Sequence, residues 1–128
     1  MKENQEDPPE LRPRTKEFAL RVIRLYSALP NRVETDVIGK QLLRSGTSVG
    51  ANYREACRAR SNAEFVSKIG ECLRELDETG YWLELLVDSG LIPSDRLSSL
   101  QDECRQLLAI LTTICKKVRS NLDRRRER

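Results

Sequence analysis

From Leu97 to Val118 the apolar residues of this chain advance in steps of three and four: Leu97, Leu100, Cys104, Leu107, Leu111, Ile114 and Val118. At 3.6 residues per turn these positions share one face of an α-helix, and Leu108, Cys115 and Leu122 form a second row beside it. A half-buried strand would alternate in twos, so this stretch can fold as an amphipathic helix and as little else. The same arithmetic recurs upstream. Ile69, Leu76 and Leu83 stand seven residues apart, flanked by a row of Leu73, Gly80 and Val87 and a row of Phe65, Cys72, Thr79 and Leu86. Three adjacent rows make an apolar face wider than one neighbouring helix needs. Phe18, Val22, Leu25 and Leu29 make a further stripe, with Leu20 and Ile23 off it, on a surface that wants cover.

Local signals divide these patterns into four helices. Pro8, Pro9 and Pro13 lie in a polar segment, so residues 1–13 read as an N-terminal tail. The first helix is expected to start at Arg14 or Thr15 and to stop at Pro30-Asn31. The second runs from about Glu34 to Arg60, with Thr35 as its cap. Ser61, with Glu64 three residues on, forms a capping box for the third, which Gly90 ends. Ser94 or Asp95 caps the fourth, which runs to about Leu122 and leaves residues 123–128 as a basic C-terminal tail. The third and fourth helices each span roughly 40 Å at 1.5 Å per residue. Short joints force neighbours to run antiparallel, so residues 14–122 are predicted to form an all-α, up-down-up-down four-helix bundle.

The second helix breaks the apolar rule. Its inward stripe of Ile38, Leu42, Ser45, Val49, Asn52, Tyr53 and Ala56 carries a serine and an asparagine, and Gly46, Ser48, Gly50 and Ala51 leave little bulk around them. Such a segment lets a neighbouring helix come close and lets Asn52 hydrogen-bond across the contact. Arg44, Ser48, Asn52 and Glu55 are therefore read as a structural polar motif, and Gly50 as a point where the helix bends.

Composition narrows the chemistry. The chain has 128 residues, enough for one domain, and 34% are charged against 5% aromatic, which suits long helices with solvated outer faces. No apolar run approaches the roughly 20 residues of a membrane span. The start MKENQEDPPE has no apolar signal core, so a cytoplasmic location is expected. There is no histidine, and Cys57, Cys72, Cys104 and Cys115 form no Cys-x-x-Cys pair. Cys72, Cys104 and Cys115 fall on apolar faces and read as reduced core residues. Glu71, Glu75 and Glu78 lack the histidines of a carboxylate-bridged metal site and read as a solvated face paired with Lys68 and Arg74. No metal, cofactor or catalysis is expected.

Basic residues are the one feature that points outward, on a chain of net charge +3. Arg12, Arg14, Lys16, Arg21 and Arg24 crowd the start of the first helix; Lys116, Lys117, Arg119, Arg124, Arg125, Arg126 and Arg128 crowd the end of the last. In an antiparallel bundle these ends are neighbours, so the clusters are expected to converge into a phosphate-binding surface. No aromatic platform accompanies them, which favours backbone contacts over base reading. The competing explanation is a cationic helix end that complements the helix dipole and aids solubility.

The segment Gln41 to Glu55, QLLRSGTSVGANYRE, resembles the signature of the bacterial 23S rRNA intervening sequence proteins. Gln41, Arg44, Ser48, Asn52 and Glu55 take the matching positions, with Val49 for isoleucine; Gly50 stands where that family often has proline. Arg60-Ser61-Asn62-Ala63-Glu64-Phe65 and Leu73-Arg74-Glu75-Leu76-Asp77-Glu78-Thr79 are similar to further family patterns, and the likeness covers roughly residues 16–120. The resemblance implies an antiparallel bundle that assembles as a homopentamer without known catalysis. A more distant similarity, to the accessory variability protein of diversity-generating retroelements, implies partnership with nucleic acid and with a protein encoded nearby such as a reverse transcriptase. Two functions stay open: a nucleic-acid-associated accessory protein that binds phosphate backbones, and a protein-interaction scaffold that binds no nucleic acid.

Overall fold

A computed structural model describes residues 11–126, the last of them by its backbone only. Four helices follow one another: α1 (Leu11–Ser27), α2 (Val33–Cys57), α3 (Asn62–Asp88) and α4 (Ser94–Arg126). Every cross-helix contact runs in opposite senses along its two helices. Gly46 of α2 faces Val22 and Gly50 faces Thr15 of α1. Ser45 meets Thr79, and Glu55 meets Lys68, across α2 and α3. Cys104 of α4 meets Leu76 of α3. The topology is up-down-up-down, as the short joints required.

The core is built from the predicted rows. Phe18 and Val22 of α1, Leu42 and Val49 of α2, Ile69, Leu76 and Leu83 of α3, and Leu107 and Leu111 of α4 are fully buried. Each fully buried leucine or phenylalanine contributes on the order of 1.5–3 kcal/mol against chain entropy. Cys72, Cys104 and Cys115 are buried with free thiols, as their helical positions implied. Cys72 and Cys104 donate to the carbonyls of Val49 and Leu76 at 3.5 and 3.3 Å. Burial pushes these two thiols up to about 12 and about 11.

Ser61 caps α3 as expected, accepting from the Glu64 N–H at 3.1 Å, while the Glu64 carboxylate reaches the Arg60 N–H at 3.1 Å, one residue before the N–H a capping box uses. Gly90, at φ +80, ends the helix in the left-handed conformation that a side chain would disfavour.

Five boundary readings need correction, one being the end of α2, which stops at Cys57 and not near Arg60. Residues 11–13 belong to α1, not to a tail, and Leu11 is fully buried. Pro13 is tolerated because it stands in the first described turn, where its missing N–H costs no helical bond. Thr15 is therefore inside the helix, bonded to the Leu11 carbonyl at 2.8 Å. Residues 123–126 continue α4 instead of leaving it as a tail. Thr35 does not cap α2: the helix begins at Val33 after an extended Arg32, and the Thr35 hydroxyl is buried. The rest of the predicted N-terminal tail, residues 1–10, and Glu127 and Arg128 lie outside the described residues.

Helix α2 runs unbroken through Gly50, and its glycines serve close approach. A β-carbon at Gly46 would lie 2.8 Å from Val22 Cγ2, and one at Gly39 would lie 2.7 Å from Leu29 Cδ1. The first is too short to exist unless Val22 and α1 give way, whereas at Gly39 the ends of the Leu29 and Tyr26 side chains would have to turn aside. The α2–α3 seam is the most extensive in the bundle, and α1 and α4 barely touch.

Candidate nucleic-acid interface

Two residues of the first predicted basic cluster, Arg14 and Arg21, are held against α4 instead of facing outward. Arg14 points at α4 and grips it: its Nε and Nη2 donate to Glu103 at 2.7 and 2.9 Å, and Nη2 also donates to Gln106 at 2.8 Å. Arg21 reaches Ser99 at 2.9 Å. These two arginines fasten α1 to α4, which is the physical reason they are not part of an outward surface. The same contacts fix the register. Arg14 stands beside Gln106, and Lys116 lies ten residues further along α4, about 15 Å away on the helix axis. Arg12 and Lys16 are exposed at the start of α1, which the Gly50–Thr15 contact sets beside the end of α2.

The end of α4 meets a different neighbour. Asn62, the first residue of α3, lines one cavity with Asn121, Arg124 and Arg125. The α2–α3 joint and the end of α4 therefore share one pole. Exposed Arg54, Arg58 and Arg60 come from the end of α2 and the joint; exposed Lys116, Lys117, Arg119, Arg124 and Arg125 come from α4. Arg126 continues the helix there. Among the described residues the acidic side chains at this end are Glu55, Glu64, Glu71 and Asp123, and Glu55 and Glu71 lie 2.7 and 4.0 Å from Lys68. Positive charge concentrated on one end of a domain of net charge +3 is a field a phosphate chain would follow. The other pole mixes Arg24, Arg32, Lys40 and Arg96 with Glu34, Asp36, Asp88 and Asp95. Arg54, Arg58 and Arg60 escaped the sequence reading although the antiparallel order alone puts the end of α2 beside the end of α4.

The polar motif of α2 also sorts differently from expectation. Arg44 pairs with Glu75 at 3.3 Å and with Glu78, both on α3. Glu55 pairs with Lys68, which also lies 4.0 Å from Glu71 as expected, whereas Glu75 and Glu78 are bridged across the seam to Arg44 and not to Arg74. Lys68 is held above the usual lysine value by its hydrogen bond to Glu55. Ser48 turns back to the Arg44 carbonyl at 2.7 Å, and Asn52 is half-buried on the same edge. The four residues are two interhelical ion pairs with small residues between them, not one buried network. The buried polar contact is one turn away: Thr79 Oγ1 is hydrogen-bonded to Ser45 Oγ at 2.8 Å and to the Glu75 carbonyl at 2.8 Å, with both side chains fully enclosed. Ser45 was visible in the inward stripe and Thr79 in an apolar row, but their pairing needed the register.

Among the described residues no cluster of His, Cys, Asp and Glu is arranged to hold a metal ion, and no helix is long and apolar enough to cross a membrane. What the geometry defines is a class: an antiparallel four-helix bundle whose polar chemistry consists of helix-to-helix clasps and one basic pole. The chain belongs to the 23S rRNA-intervening sequence protein family, which matches residues 10–113. It is similar to a protein of unknown function from the S23 ribosomal protein family of Bacteroides thetaiotaomicron VPI-5482. That crystal structure superposes with a TM-score of 0.77 at 41% identity, covering 82% of this chain and 97% of the other. No curated protein matches the chain significantly.

Proposed function

We propose that this protein is a non-enzymatic, homo-oligomeric accessory protein that associates with nucleic acid through phosphate contacts at the pole formed by the α2–α3 joint and the end of α4. The observation that carries this reading is the grouping of Arg54, Arg58, Arg60, Lys116, Lys117, Arg119, Arg124 and Arg125 at one end, facing few carboxylates. No exposed aromatic ring is near them; Phe65 is half-buried and Tyr53 is buried. Contacts are then to the backbone and independent of sequence. A homopentamer acting in the cytoplasm, beside a protein such as a reverse transcriptase, is the form that the likenesses in the sequence favour, and assembly would gather the basic poles of several copies. The test is affinity for a short RNA or DNA duplex measured across salt. A steep fall in log affinity with log salt is expected, with a slope near −0.9 for each phosphate neutralised. A flat response would remove the reading.

A protein-interaction scaffold is the second reading. It is favoured by Val33 and Val37, which stand one turn apart on α2 and are 80% and 57% exposed, and by exposed Tyr81 on α3. Retention of unchanged oligomer size and loss of all polyanion binding would favour this scaffold over the accessory role.

A further inference from the structure

The basic pole contains a defined cleft within its general positive charge. The cavity lined by Asn62, Asn121, Arg124 and Arg125 has a volume of about 290 Å³, close to the lower limit of small-ligand sites. It lies between the first residue of α3 and the last described turns of α4. Arg124 Nη2 donates to Asn121 Oδ1 at 2.8 Å. That bond uses the Asn121 oxygen and leaves its NH2 group as a donor, while the rest of the guanidinium fork remains available. The donors are side-chain groups, because the start of α3 is already capped within the chain by Ser61. The described carboxylates nearby are engaged or turned away. Glu64 accepts from the Arg60 N–H, and Asp123 projects about 160° around α4 from both Asn121 and Arg125, at 100° per residue. Two planar cationic forks and two amides, with no carboxylate among the described lining residues, match the oxygens of a tetrahedral anion better than any neutral or cationic group.

We propose that this cleft is a phosphate seat, in which Arg124 and Arg125 neutralise one phosphodiester of the nucleic-acid backbone and the Asn62 and Asn121 amides donate to its oxygens. The inference rests on the proposed function and sharpens it. The pole holds the backbone at one fixed point, and the remaining basic residues act through distance alone. Asn62 and Asn121 then carry a binding role that charge counting does not assign to them.

The experiment compares two full-length double variants that remove equal charge from the same pole. R124A/R125A is expected to weaken binding of a short RNA duplex about tenfold at physiological salt, against about two- to threefold for R54A/R58A, because only the first pair makes fixed, charge-assisted contacts. N121A, which changes no charge, is expected to cost about threefold. Equal losses in the two double variants, with N121A unchanged, would overturn the seat while leaving the basic pole as a diffuse binding surface. Inorganic pyrophosphate titrated against the side-chain amide resonances of Asn62 and Asn121 decides the cleft separately. A saturable shift, absent in R124A/R125A, supports it even if no duplex binds, an outcome that would remove the proposed function alone. No saturable shift overturns the seat. Matching thermal melts of the variants and the parent confirm that the fold is intact.

Discussion

Helix α1 touches two neighbours by two different means. Against α2 it packs on glycine: Gly39, Gly46 and Gly50 let Tyr26, Val22 and Thr15 approach the α2 backbone. Against α4 it is held at arm's length by Arg14 and Arg21, whose side chains span the gap to Glu103, Gln106 and Ser99. The first seam depends chiefly on shape, with one hydrogen bond from Tyr26 to Asp36 at its rim; the second is polar and depends on charge. Close-packed contacts lose several kcal/mol to one misplaced carbon, whereas partly solvated ion pairs are individually weak. The fold therefore places its tolerance to change on one side of α1 and its intolerance on the other.

Gly46→Val gives the largest expected effect. Its first side-chain carbon would start 2.8 Å from Val22, and denaturant unfolding should show a loss of about 3 kcal/mol. A variant as stable as the parent would mean that α1 is not seated on α2. Thr79→Val comes next, on the neighbouring α2–α3 seam. It removes the enclosed bond to Ser45 and should cost about 1–2 kcal/mol in the same measurement. Arg14→Ala should cost about 1 kcal/mol. Arg14 and Glu103 are 25% and 17% exposed, so solvent screening trims the ion pair, and the loss should shrink as salt rises. A loss larger than that of Gly46→Val would invert the comparison. Gly70→Ala serves as the control helical glycine, because a β-carbon there meets nothing within 4 Å; it should gain about 0.5–1 kcal/mol from helix propensity.

The smallest effect is on pH. Near the α1–α2 joint the Tyr26 hydroxyl donates to Asp36 at 2.9 Å, and Lys40 pairs with Asp36 at 3.2 Å. The Tyr26 bond, then Lys40, holds the Asp36 carboxyl below its usual 3.8, and the Asp36 bond holds the Tyr26 phenol above its usual 10.0. The carboxylate's contribution is present above 3.8 and disappears as pH falls through the lowered value. The phenol's contribution is present below 10.0 and disappears as pH rises through the raised value. Melting temperatures of the parent and of Tyr26→Phe should differ slightly at neutral pH and converge at both extremes. Parallel profiles across the whole range would dismiss the clasp.

Helix number, order and core faces could be read from the sequence because period and spacing report them directly. The row from Leu97 to Leu111 and the row of Ile69, Leu76 and Leu83 are buried as their steps demanded. The start of α1 was misread because Pro13 breaks a helix interior but not a first turn. The fate of Arg14 was illegible for a different reason: its partner is 89 residues away, and one-dimensional charge clustering cannot tell a bridging arginine from a solvated one. For the same reason Arg54, Arg58 and Arg60 looked unrelated to Lys116 and Arg124 until the register of α3 against α4 joined the two ends. Asn52 looked like the centre of the polar motif, yet the enclosed contact belongs to Ser45 and Thr79, about two turns away on the inward face.

The buried cysteines make the bundle report on its own breathing. Cys72 and Cys104 stand on two seams, enclosed and held in the unreactive thiol form, while Cys57 is exposed. In a variant with Cys115 replaced by alanine, an alkylating reagent should therefore modify Cys57 at once and reach Cys72 and Cys104 only when the α2–α3 or α3–α4 seam parts. The slow phases of labelling become stopwatches for local opening, each attached to a known pair of helices, with no foreign probe introduced.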